Sequence, residues 1–177
     1  MTPTAATALR GHRIRIAAWS VAALLLLTPL VAMQFTTEVV WTPGDFLFAA
    51  IMMGTVGLLV ELAVHATSDW SYRGGVMIAV AVSFLIVWIN LAVGIIGSED
   101  NPANLMFFAV PLIAGAGAVI ARFRPLGMYR AMIAAAIGQV ATFAIALVAG
   151  WAFIGPITLG FTFLWLCAAR LFYTAAR

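Results

Sequence analysis

Of the 177 residues, 65% are hydrophobic and only 8% charged, against about 45–50% and 25% in soluble domains, and the mean hydropathy is +1.12. That composition excludes a soluble globular protein and describes an all-α integral membrane protein, one domain over residues 1–177, whose core is made by helix contacts in lipid. The net charge of +3 comes from scattered arginines without a single lysine, so it reads as membrane orientation rather than nucleic-acid binding. One cysteine, Cys167, rules out an internal disulfide, and with only His12 and His65 beside it a haem or multi-ligand metal site is poorly supplied.

A spanning helix needs about 20 apolar residues, and the chain offers six such runs, at 16–34, 43–66, 75–97, 102–121, 130–149 and 156–173. The first follows "RGHRIR" and resembles the charged and apolar regions of a signal peptide. It is read as a retained helix, because the run is long and Leu30 occupies the minus-three position of the best cleavage candidate, Ala32. Pro29 is expected to kink it by removing a backbone hydrogen bond.

The second run opens on "TPGD", a capping box with Thr42 as N-cap, Pro43 at the first helical position and Asp45 three residues on. Near its far end lies Glu61, a carboxylate in an otherwise apolar stretch, with Gly57 one turn before it and His65 one turn after it on the same face. The third run carries Ser83, Asn90, Gly94 and Gly97 near one face, which is expected to turn inward. The fourth begins at Asn101-Pro102, holds a second kink candidate in Pro111, and contains "AGAGA" from Ala114 to Ala118. In the fifth, Gly138, Thr142, Ala146 and Gly150 recur every four residues, a small-residue stripe that predicts close packing on the fourth helix or on a second copy of the chain. Gln139 adds a deep polar group, and the sixth run, opened by Gly155-Pro156, carries Arg170 near its end.

Alternation of these runs puts all nine arginines on one side and Glu38, Asp45, Glu99 and Asp100 on the other. Cytoplasmic loops hold the positive excess, so both termini are expected in the cytoplasm. The three proline-started helices all begin on the acidic side, where carboxylates suit helix N-termini. Two aromatic belts agree: Trp41 and Trp151 at the acidic boundary, and Trp19, Trp70, Tyr72, Tyr129 and Tyr173 at the arginine boundary.

Five residues form the candidate intramembrane polar set: Glu61, His65, Asn90, Gln139 and Arg170. A carboxylate at the bilayer centre costs about 2.5–3.5 kcal/mol on insertion scales, so Glu61 demands either an ion partner, with Arg170 or His65 the candidates, or a titrating role in transport. Asn90 and Gln139 are expected to bond between helices. "GSEDNPAN" reads as a solvated turn with Asn101 as cap, and "RFRPLGMYR" as a basic, aromatic loop facing anionic headgroups. No phosphate-binding loop, nucleophile elbow or zincin pattern occurs, so neither a catalytic residue nor a cofactor nor a metal is expected.

The stretches "WTPGDF", "WINLAVGIIGSEDNPAN" and "ARFRPLGM", within residues 41–128, resemble a family of small multi-spanning bacterial inner-membrane proteins of unassigned function. That resemblance implies a bacterial inner membrane and carries no activity with it. The expected function is a non-enzymatic accessory or scaffold subunit, with membrane lipids and a membrane-protein partner or second copy as its contacts. The alternative is a small proton-coupled permease or channel using Glu61.

Overall fold

The computed structural model describes the backbone of residues 5–177 and the side chains of residues 12, 13 and 15–177. It is all-α, with no strand among the described residues: α1 (Ala5–Ala32), α2 (Pro43–Ala66), α3 (Trp70–Ala92), a 3-10 segment (Pro102–Phe108) leading into α4 (Ala109–Ile120), α5 (Pro125–Val148) and α6 (Gly155–Ala175). Among the described residues six helices are long and apolar enough to cross a membrane, the 3-10 segment and α4 together making the fourth. Two compact units divide the chain within α2, residues 1–58 and residues 59–177.

In the first unit, α1 extends past the expected start, so Arg13 and Arg15 lie on the helix rather than ahead of it. The side chain of Arg10, counted with them for orientation, lies outside the described residues. Pro29 does not end the helix, since the Met33 amide still bonds the Pro29 carbonyl at 2.9 Å. Leu24, Leu25, Leu27, Leu30 and Val31 are all exposed and point in every direction around the axis, the pattern of a helix made for lipid or for another protein rather than for its own core. The start of α2 is as expected: the Thr42 amide and hydroxyl donate to Asp45 Oδ2 at 2.7 and 2.8 Å, and Thr42 Oγ1 accepts from the Asp45 amide at 3.3 Å. A Cβ added at Gly57 would lie 2.6 Å from Cη2 of Trp19, so the space beside this glycine is filled by an α1 ring.

The second unit holds the core. It is built from α3 to α6, with α5 packed on both α4 and α6 and α3 packed on α6. Val82, Ile86, Phe107, Val110, Met132, Ala135, Trp165 and Phe172 are among its most deeply buried apolar side chains. The expected α4–α5 contact is present: a Cβ at Gly117 would sit 2.6 Å from the Ala131 Cβ, and one at Gly138 would meet Ile113 Cδ1 at 3.1 Å. Gly150 is no part of that stripe. At φ +67° with open space around it, it closes the turn after α5 instead.

The start of α3 and its far end both differ from expectation. It begins at Trp70 because Asp69 caps it, accepting the Tyr72 amide at 2.9 Å, and it stops at Ala92 because Gly94 adopts φ +73°. Gly94 and Gly97 therefore lie in the following loop, off the α3 face on which their spacing had placed them. Pro111 lies two residues after the 3-10 segment passes into α4, so the change of helix type falls in the turn just before it. Helix α5 starts at Pro125, five residues ahead of its expected start at 130, with proline in its first turn.

Candidate functional site

Glu61 lies half-buried on α2, five residues before the helix ends at Ala66, and His65 follows one turn later, exposed. The helix is unbroken between them, so both occupy one face. Beyond them the chain is fixed by Arg73, whose Nη2 donates to the Val64 carbonyl at 2.7 Å and whose Nε donates to the Thr67 carbonyl at 2.8 Å. These bonds satisfy carbonyls that the end of α2 leaves without intrahelical partners. The same guanidinium lies 5.3 Å from the Trp70 ring centroid. Arg73 was legible only as an orienting charge, yet it is also the C-terminal cap of α2.

Tyr72, expected in the aromatic belt at the arginine boundary, turns its side chain into the second unit. It is buried, its ring meets Phe172 edge-on at 5.2 Å, and its hydroxyl donates to the Phe123 carbonyl at 2.8 Å. Arg122 and Phe123 both hold positive φ, 49° and 57°, in the α4–α5 turn, so the tyrosine staples a turn with an uncommon backbone.

Deep in the second unit sits a group of buried polar side chains. Asn90 is 2% exposed and Gln139 1%. The Asn90 amide nitrogen donates back to the Ile86 carbonyl at 2.8 Å, while its Oδ1, both terminal atoms of Gln139, the hydroxyls of Thr158 and Thr162 and the Trp165 indole nitrogen have no hydrogen-bond partner among the described residues. All belong to α3, α5 and α6. Gln139 lies nine residues before the end of α5 and Trp165 ten residues into α6. At 1.5 Å per residue in antiparallel neighbours, both are about 14–15 Å below the end that carries Glu99 and Asp100.

Their directions also converge. Gly138 faces α4 and Tyr129 faces Tyr173 of α6, and Gln139 points about 80–100° from each, into the unit's interior. Trp165 lies between Phe172, which faces α3, and Ala169 and Tyr173, which line the α5 side. An amide and an indole N–H therefore stand at one depth on the inward faces of two packed helices. Burying such groups without partners costs about 1–3 kcal/mol each.

The five sequence-derived candidates do not form one cluster. Asn90 is twenty residues up α3, whereas Glu61 and Arg170 lie five residues from the opposite ends of α2 and α6. That separates them by about 20 Å in depth. Arg170 is exposed, with its guanidinium 5.9 Å from the Tyr173 ring centroid. Among the described residues no three His, Cys, Asp or Glu side chains come together as metal ligands.

A further polar residue escaped the sequence reading. Asn104 is 3% exposed; its Oδ1 accepts the Ile95 and Ile96 amides at 3.1 and 2.8 Å, and its Nδ2 donates to the Ile96 and Ser98 carbonyls at 3.3 and 2.7 Å. One side chain thus partners two amides and two carbonyls of the turn after α3. Asn101 does cap the following segment as expected, accepting the Ala103 amide at 3.0 Å.

Six apolar spans, a four-helix core and buried polar groups within it define a polytopic helical membrane protein. Compared with known protein families, curated proteins and solved structures, the chain finds no match.

Proposed function

We propose that the chain is a non-enzymatic accessory or scaffold subunit of a bacterial inner membrane, with both termini cytoplasmic. The observation that carries this reading is α1, a span without one buried residue in the 18 that cross, joined to a unit that forms a packed core on its own helices. A long apolar helix that exposes most of its large side chains suits attachment to another membrane protein, where van der Waals packing between helices supplies the contact energy. The bacterial location rests on the resemblance of residues 41–128, and the orientation on the arginines.

A photoreactive residue at Leu24 or Leu27 tests it. The expected result is a discrete cross-linked protein whose abundance falls when the chain is deleted, with no such species from Val119, an exposed position on α4. Cross-links to lipid alone at every α1 position would overturn the proposal.

The second reading, a small proton-coupled permease or channel, is supported by the buried polar groups of Asn90, Gln139 and Trp165, with Glu61 at another depth. In that case Glu61→Gln abolishes proton-dependent flux in reconstituted vesicles while the protein still folds. Flux unchanged by the substitution removes this reading.

A further inference from the structure

Toward the arginine-bearing end of the second unit, α5 and α6 border a recess of about 350 Å³ lined by Tyr129, Ile133, Leu166, Ala169, Arg170 and Tyr173. Its two ends differ in chemistry. Ile133 and Leu166 form an apolar wall, and the tyrosines and Arg170, with Ala169 beside them, form a rim one to two turns nearer the helix ends.

The rim carries a concentration of positive charge. Arg177 lies 4.6 Å from the Tyr173 ring centroid and donates from Nη2 to the Tyr173 hydroxyl at 2.7 Å, while Arg170 lies 5.9 Å from the same centroid. Two guanidinium groups thus lie within 6 Å of one ring centroid, and none of the six lining side chains is a carboxylate. Cation–π contact and the hydroxyl fix their positions without neutralising either charge. The Tyr129 ring meets that of Tyr173 at a tilt of 51°, centroids 5.4 Å apart, and lines the same rim.

We propose that this recess is a binding site for one anionic glycerophospholipid, its phosphate held by Arg170 and Arg177 and one acyl chain laid along Ile133 and Leu166. Guanidinium forks match phosphate oxygens, and two cations beside one ring favour an anion at this rim. The apolar wall below the rim selects a lipid over a free anion, because an ion would use only the rim and leave the wall to be covered by something else. The tyrosines stand at headgroup depth, where aromatic side chains with a polar tip are preferred. This site is independent of either functional reading, and it uses Arg170 otherwise than as a partner for Glu61.

The test is native mass spectrometry of the full-length purified protein offered equal amounts of phosphatidylglycerol and phosphatidylcholine with identical acyl chains. Wild type retains one phosphatidylglycerol in preference to phosphatidylcholine, each guanidinium contributing about fivefold to the ratio. Arg170→Gln lowers the preference by that factor, and the Arg170→Gln, Arg177→Gln double variant abolishes it. Both positions are exposed, so the helical content and unfolding temperature remain those of wild type.

A second readout uses Leu166→Trp, which places a fluorophore on the apolar wall of the recess. Brominated phosphatidylglycerol quenches the added fluorescence more strongly than brominated phosphatidylcholine, and the double arginine variant equalises the two. Equal retention of both lipids by wild type, or an undiminished preference in the double variant, overturns the site. Complete displacement of phosphatidylglycerol by millimolar inorganic phosphate also overturns it, since the rim would then be an ion site without a lipid.

Discussion

Replacing Asn104 with alanine removes the acceptor of two loop amides and the donor to two carbonyls in one step. The Ile96 amide and carbonyl left behind are buried, so the variant is expected to lose about 2–4 kcal/mol of stability, measured by thermal unfolding in detergent. Asn101→Ala, which removes one cap bond at a partly exposed position, is expected to cost about 1 kcal/mol. Gln139 gives the opposite result for the same reason. Its terminal atoms have no partner among the described residues, so Gln139→Leu, of similar size and apolar, is expected to be neutral or stabilising. If the polar core serves a permease, the same substitution lowers flux while stability holds or rises, a separation that a purely structural glutamine would not give.

Two glycines on α4 illustrate what an element requires of its neighbours. Gly115 has nothing within 4 Å of an added Cβ, whereas at Gly117 the Ala131 Cβ would lie 2.6 Å away. Gly115→Ala is expected to be neutral or stabilising by about 0.5–1 kcal/mol through helix propensity. Gly117→Ala must push two backbones apart and is expected to cost about 1–3 kcal/mol. Paired unfolding measurements on these variants check the α4–α5 contact directly, and equal effects would reject it. That contact was readable in advance, because small residues at helical spacing state a packing face whatever the partner. The ends of α3 were less readable. Gly94 looked like part of an α3 face by spacing, but its positive φ follows from Asn104 and Ser98, atoms that fold against it from further along the chain. Asn104 was missed for the same reason: in "GSEDNPAN" it is one polar residue among several, and only the folded loop distinguishes it. The usable signal was the pair of glycines itself, since a tight turn there leaves amides that need an acceptor nearby. Tyr72 and Arg73 were likewise visible as an aromatic and a charge, whereas their bonds to Phe123, Val64 and Thr67 depend on the fold.

At the scale of the whole molecule, the proposed orientation follows from charge and not from packing, because antiparallel helices pack equally well with either end inward. Arg73, Arg122, Arg124, Arg130, Arg170 and Arg177 all fall at one end of the second unit, and Glu99 and Asp100 at the other. Carrying one positive charge outward against a potential of 100 mV costs about 2.3 kcal/mol, so several arginines acting together leave one orientation dominant. The lone cysteine makes this testable with little disturbance, since a Cys167→Ala background leaves no other thiol. In that background Ser98→Cys, in the exposed acidic loop, is expected to react with a membrane-impermeant maleimide on intact cells. Arg124→Cys, exposed in the turn before α5, is expected to react only after the membrane is opened. The reverse pattern would place the arginine end and both termini outside. It would also move the lipid site to the opposite leaflet, where the phosphatidylglycerol preference of the purified protein would persist but its occupancy in cells would follow that leaflet's anionic content.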